Sequence, residues 1–239
     1  MLNGISVLFS GGPDSTLAAL YALDQADAVH LMTYHHNWMG KGGKQRKVAH
    51  ELKQIFGENR VFSQESNIDS LFHKFHLTNF KQMFPQYRTF YIPWTCGACR
   101  LAMHVSTMIY NRQNGIAKTF DGANMESAHL FPEQMMPYID VIKNLYQSFD
   151  MSFENPVYHI ARTDIETEKY GLTTTKNTKK EHIIFSTQHT CLVGLAVHAH
   201  AKFYYFPFRG KKRTEKLVAP FAEKIIEQSR PFINSLVIS

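Results

Sequence analysis

The sequence predicts an α/β fold, a parallel sheet with helices on both faces followed by a C-terminal extension. Three observations carry this. Short β-branched runs alternate with longer helical stretches, the rhythm of stacked βαβ units. The first run, 5–9, passes through a glycine turn straight into a helical stretch. The 239 residues are 44% hydrophobic and 19% charged, with 18 Phe and 11 Tyr, enough to bury a sizeable core in one principal domain and to exclude disorder as the main state.

Taken in order, 5–9 reads as a buried strand and 16–23 as the helix after the turn Ser10-Gly11-Gly12-Pro13-Asp14-Ser15. Residues 29–34 make a second strand, 45–56 a charged amphipathic helix, and 61–63 a short third strand with a helix over 68–83 behind it. From Cys96 to Gln113, apolar residues at Leu101, Val105, Met108 and Ile109 have the spacing of one helix face, and Gly115 stops the run before a strand at 117–120. Asp121-Gly122-Ala123-Asn124 follows at the carboxyl end of that strand. Ligands of open parallel sheets gather at those ends, so the loops at 10–15, 34–43 and 121–127 are expected to face one crevice. Beyond Pro156, 162–170 reads as helical, 171–180 as a polar loop, 183–185 as a strand and 220–230 as a closing helix. Residues 1–150 are taken as the core and 151–239 as an extension of the same domain.

The net charge is +6, and 13 His add partial charge, so the surface favours anions such as nucleotides or RNA. No apolar run approaches the roughly 20 residues needed to cross a bilayer, and the first residues lack a basic segment followed by a long apolar one. A soluble cytoplasmic protein with no membrane partner is expected. Three cysteines are too few for a disulfide scaffold and suggest a reducing compartment.

The strongest local signal is the turn at 10–15. Two glycines let backbone approach an anion, and the following helix presents unpaired N–H groups and the positive end of its dipole. Polyphosphate would dock there. The serine hydroxyls add hydrogen bonds, and Asp14 serves to hold Mg²⁺ or brace the loop. Neither GxxxxGK[ST] nor GxGxxG spacing is present.

SGGPDS after an N-terminal strand resembles SGGxDS, the pyrophosphate loop of the PP-loop ATP pyrophosphatases. The resemblance implies an adenine nucleotide alpha hydrolase-like, Rossmann-like sheet and an enzyme that cleaves ATP to AMP and pyrophosphate while adenylating a substrate oxygen. It places Ser10, Gly11, Gly12, Asp14 and Ser15 on the outer phosphates and the metal, adenine near Met32 and Thr33, and a second glycine motif at 121–124, with Gly122 and Asn124 as cofactor contacts.

Cys96-Gly97-Ala98-Cys99 puts two thiols at a helix start, and Cys191 lies 92 positions beyond Cys99. Three thiolates suit a 4Fe-4S iron–sulfur cluster with one open iron, or Zn²⁺ with His189 as fourth ligand. The layout is similar to that of some tRNA thiolases, which implies metal or sulfur roles for Cys96, Cys99 and Cys191, a tRNA nucleobase as substrate and a sulfur donor protein as partner. The catalytic set expected on this basis is Asp14, Cys96 and Cys191. A second resemblance competes: Asn155-Pro156-Val157, then Arg162-Thr163-Asp164-Ile165 and Tyr170-Gly171-Leu172, is similar to a late segment of 7-cyano-7-deazaguanine synthases, which implies a small-molecule carboxylate as acceptor. A non-catalytic ATP-binding subunit is the third alternative.

Several other residues attract a reading. His35, His36, His198 and His200 lack zincin spacing, and His104 suits packing. Glu126 and Ser127 suit either Mg²⁺ or a helix cap. Residues 202–216 interleave aromatics with cations such as Lys211, Lys212 and Arg213, a pattern that fits unpaired RNA bases or a strand followed by a charge run.

Overall fold

A computed structural model describes residues 3–37, 43–76, 93–128, 131–170, 172, 199 and 211–238. Cys191, His189, His198, His200, the strand expected at 183–185 and the aromatic run at 202–210 lie outside the described residues.

Among the described residues the sheet has five parallel strands in the order β3-β2-β1-β4-β5. They are β1 (Gly4–Leu8), β2 (Ala28–His35), β3 (Val61–Asn67), β4 (Lys118–Asp121) and β5 (Ser152–Glu154). β1 lies between β2 and β4, with Leu8 registered against Met32 and Asp121. All strands point the same way, so their carboxyl ends share one edge.

Strand alternation divides the core in two. Ile5, Val7 and Phe9, with Val29, Leu31 and Phe120, face α1 (Pro13–Leu23) and α2 (Lys44–Phe56). Leu8, Met32, Tyr34 and Phe153 face the other way, onto α3 (Ala98–Asn114), α5 (Met136–Gln147) and α7 (Lys211–Val237). The short helices α4 (Met125–Ala128) and α6 (Thr163–Glu168) lie beside the carboxyl edge.

The differences from the expected elements have physical causes. β3 runs to Asn67 rather than stopping at 63, because edge pairing to β2 holds its polar second half in register. Residues 69–76 are helical as expected, and the expected continuation to 83 lies outside the described residues. The helix expected from Cys96 begins at Ala98, after a π turn over Pro93–Gly97. α5 and β5 had no counterpart in the sequence reading, and β5 extends the sheet beyond residue 150.

The closing helix is 27 residues long, not the 11 of 220–230, and contains Pro220 and Pro231. Each proline removes a backbone hydrogen bond and costs about 3 kcal/mol. Val218, Phe221, Ala222, Ile225, Ile226, Ile233 and Val237 form a continuous buried stripe that offsets this. No helix of the described residues is long and apolar enough to cross a membrane.

Candidate functional site

The glycine turn sits where β1 gives way to α1. Phe9 N–H still donates to Met32 O at 2.8 Å, and the chain then bends through Ser10, Gly11 and Gly12 into a helix that opens on Pro13. No side chain caps that helix start, at the carboxyl end of β1. The bend is braced internally. Ser15 Oγ donates to Gly12 O at 3.1 Å, accepts from Ser10 N at 3.2 Å and lies 3.1 Å from Ser10 Oγ. The two expected phosphate-binding hydroxyls therefore also hold the loop's shape.

Gly11 has φ +72°, and a Cβ there would lie 2.6 Å from Gln45 Cα at the start of α2. A Cβ on Gly122 would lie 2.6 Å from Ser15 N and 2.7 Å from Ser15 Cα. The second glycine motif thus packs backbone to backbone on the first, a close approach that only glycine permits. Lys44, half-buried at the first position of α2, is drawn toward its neutral form by burial. It supplies a cation next to the residue that touches Gly11.

Asp14 stands in the first turn of α1, just past the carboxyl end of β1. Thr163, 149 residues away in α6, donates its hydroxyl to Asp14 Oδ1 at 2.5 Å. Burial raises the Asp14 carboxyl above the ordinary range, and the negative charges of Glu126, Asp164 and Asp121 push the same way, while Thr163 opposes them. This excess of negative charge fits a cation. Among the described residues no group of three or more His, Cys, Asp or Glu could hold a metal. Mg²⁺ arriving with a polyphosphate, held by one or two carboxylates, matches that donor set.

A second polar centre lies on the α3 side of the sheet. Arg100, in the first turn of α3, forms an ion pair with Asp121 at the end of β4, with side-chain exposures of 18% and 4%. Burial disfavours the guanidinium charge, and Asp121 and Glu133 more than restore it. Burial also holds the Glu133 carboxyl above its ordinary range, opposed only in part by its own backbone N–H and by Arg100.

Asn124 ties the surrounding segments together. Its amide donates to Ile160 O at 2.8 Å and Val157 O at 3.4 Å, its Oδ1 accepts from Glu126 N at 2.8 Å, and its backbone N–H reaches Gln134 Oε1 at 3.3 Å. The side chain expected to touch a ligand is engaged in holding three loops.

Met32 and Thr33 cannot both present side chains to one base, since neighbours on a strand face opposite ways. Met32 is buried in the α3 core, whereas Thr33 Oγ1 donates to Phe9 O at 3.0 Å. Thr33 also lines a cavity of about 210 Å³ between α2 and β3, with Gln45, Arg46, His50, Lys53 and Glu65.

Cys96 lies in the π turn and Cys99 in the first turn of α3, both half-buried. Tyr138 donates its hydroxyl to Gly97 O at 2.7 Å, and Phe221 packs against Gly97, which pins the turn between α5 and α7. Two thiols do not make the three-ligand set expected for a cluster or closed zinc site, and Cys191 is outside the described residues. His36 is buried and stacked on Phe72, and His104, held far toward neutral by burial, packs edge-on against Tyr146 and Phe153. Both are core residues.

Arg100, Glu133, Thr163 and Gln134 were not singled out in the sequence. Arg100 directly follows Cys99, which was the available signal. Thr163 lies in the Arg162-Thr163-Asp164-Ile165 segment read as similar to 7-cyano-7-deazaguanine synthases, but its bond to Asp14 had no signal, because that partner is 149 positions away.

Comparisons with known proteins agree with this geometry. The family model described as "QueC: Queuosine biosynthesis protein QueC" matches residues 5–199. No curated protein matches the chain. A solved 4-thiouridine synthetase, in complex with RNA and bound ATP, is similar at 13% identity with TM-score 0.60, over 99% of this chain and 54% of that one. The chain therefore spans about half that protein's length, and the likeness establishes the fold. The U34-tRNA thiolase NcsA from Methanococcus maripaludis, with its 4Fe-4S cluster, is similar at 14% identity with TM-score 0.43, over 94% of this chain and 72% of that one.

Proposed function

The chain belongs to the QueC family of queuosine biosynthesis proteins, and from that membership we propose that it adenylates the carboxylate of a deazaguanine-type small molecule. It is an ATP-using enzyme of the PP-loop class. The observation that carries the reading is the paired glycine packing, Gly11 on α2 and Gly122 on α1, around an uncapped helix start. Such a bend receives the β and γ phosphates on backbone N–H groups, with Lys44 beside it.

In the proposed reaction the acceptor carboxylate oxygen attacks the α-phosphorus and an O–P bond forms. The bond to the bridging oxygen breaks, and pyrophosphate leaves with that electron pair. Attack on the adenylated carbon by a nitrogen nucleophile then expels AMP. Mg²⁺ would be held by Asp14 and would neutralise phosphate charge. This chain's own contribution is orientation: Thr163 fixes Asp14, Gly122 seats the loop, and Thr33 faces the cavity beside α2, where the nucleoside end would fit. We assign 1–150 as the ATP-binding core and 151–239 as the extension that completes the substrate site, a division supported by the reach of Thr163 to Asp14.

Sulfur insertion into a tRNA base is the second reading, favoured by one observation. Cys96 in the π turn and Cys99 in the first turn of α3 stand three positions apart, both half-buried, at the start of one helix. It requires Cys96, Cys99 and Cys191, a sulfur donor and RNA. The test uses α-labelled ATP with Mg²⁺ and either a deazaguanine carboxylate plus ammonium, or tRNA plus sulfide. AMP and pyrophosphate in the first mixture support nitrogen transfer, and the same products only in the second support thiolation. ADP in either overturns both.

A further inference from the structure

One motif takes no part in the nitrogen-transfer reading, the pair in Cys96-Gly97-Ala98-Cys99. Both thiols are half-buried and neither is held in a disulfide. Cys96 stands in the π turn Pro93–Gly97 and Cys99 in the first turn of α3, whose start no side chain caps. A Cys-x-x-Cys at a helix start places the second sulfur to attack the first, the arrangement of a redox-active dithiol. Side chains three apart on a helix have Cβ atoms about 5–6 Å apart, and a disulfide needs about 3.5–4.5 Å, so closure asks for a small contraction of this turn.

The surroundings of the turn decide where that contraction is felt. Gly97, between the two thiols, accepts from the Tyr138 hydroxyl at 2.7 Å, and a Cβ on it would lie 3.4 Å from Phe221 Cε1, so α5 and α7 hold Gly97 in place. On the helix side, Cys99 is followed by Arg100, whose guanidinium pairs with Asp121 at the end of β4. Gly122 comes next, and a Cβ on it would lie 2.6 Å from Ser15 N in the glycine turn. A shift at Cys99 is thus passed to the turn at 10–15 through one buried ion pair and one backbone contact. Close-packed interiors transmit such displacements rather than absorb them.

We propose that Cys96 and Cys99 form a reversible dithiol–disulfide switch that sets the ATP affinity of the glycine turn, with a low-molecular-weight disulfide as oxidant. One cysteine thiolate attacks a sulfur of the incoming disulfide, a mixed S–S bond forms, and the first small thiol leaves with the electron pair of the broken bond. The second cysteine thiolate then attacks its neighbour's sulfur and expels the other small thiol. Two protein thiols are oxidised to one disulfide, the small disulfide is reduced to two thiols, and the two thiol protons end on them. The closed form contracts the start of α3, loosens the Arg100–Asp121 pair and weakens ATP binding, and reduction restores it. This inference rests on the proposed ATP site but on neither acceptor chemistry.

The test equilibrates the full chain with reduced and oxidised glutathione in varied ratio, traps the remaining thiols by alkylation and maps the bridge by peptide mass. Rising oxidised glutathione should join Cys96 to Cys99, in the wild type and in Cys191→Ser alike. By calorimetry, ATP with Mg²⁺ should bind the oxidised wild type about fivefold or more weakly than the reduced one, the low end of couplings between sites, and dithiothreitol should restore the affinity. In the double variant Cys96→Ser, Cys99→Ser the ATP affinity should be the same in both buffers. The switch is overturned by the absence of a bridge, by a bridge to Cys191, by stoichiometric iron or zinc retained on the pair, or by an ATP affinity that does not change once the bridge has formed. Each of these leaves the proposed ATP chemistry standing. A reduced wild type that fails to bind ATP removes the functional reading itself, and the switch with it.

Discussion

Three glycines divide the site by geometry alone. Gly122→Ala would drive a methyl to 2.6 Å from Ser15 N, and Gly11→Ala would do the same against Gln45 Cα from a left-handed backbone, so neither can be accommodated without moving the loop. Both should lose about tenfold or more in ATP affinity by calorimetry. Gly43→Ala meets nothing within 4 Å and should stay within about 0.5 kcal/mol of the parent in stability. Asp14 makes a second prediction with a sign. Its raised carboxyl favours the folded state most in acid, and that contribution is lost as pH rises through the raised value. Cation binding needs the ionised form, so the acid limb of Mg²⁺-dependent ATP binding should fall at higher pH than for an ordinary carboxylate. Removing a like charge with Glu126→Gln should move that limb to lower pH, and deleting the hydroxyl with Thr163→Val should move it to higher pH. A pH series of ATP titrations reads both. The serines, glycines and aspartate of the turn were legible in the sequence because they are contiguous. The Thr163 hydroxyl was not, because only the packing of α6 on α1 brings it there.

Elements are joined here by a few buried contacts that cross the sheet. The Arg100–Asp121 pair links the start of α3 to the end of β4, and removing one partner leaves a buried charge alone. Arg100→Met should cost about 3–5 kcal/mol in urea unfolding, and adding Asp121→Asn should recover part of it. Phe221, 2% exposed, packs α7 against Gly97 in the cysteine turn. Phe221→Ala should cost about 3–5 kcal/mol, a loss measured by the same denaturation curves. The prolines of α7 hid that helix from local reading, since each looks like a boundary, and the long apolar stripe overrides them only when α3 and α5 are present to receive it. In α5 the stripe was equally present in the sequence, as Ile139, Val141, Ile142 and Leu145, but it went unread.

At the scale of the molecule, the residue 14 to residue 163 bond couples the N-terminal glycine turn to the segment beyond residue 150, across the proposed nucleotide site. Saturating ATP with Mg²⁺, at a hundred times its dissociation constant, should stabilise the protein by about 2.7 kcal/mol. Hydrogen exchange should slow in 163–168 as well as at 10–16, and protection confined to the turn would show that the extension takes no part. The sequence by itself determined the parallel α/β order, the glycine turn at 10–15 and its companion at 121–124, because each depends on neighbours in the chain: a strand's period, a glycine's freedom, a helix's first unpaired N–H groups. Only the tertiary structure decided that Asn124 is a clamp, that Met32 is core, and that Arg100 answers Asp121. Those outcomes depend on which distant segments the strand order 3-2-1-4-5 brings side by side, and on which buried polar groups that arrangement satisfies.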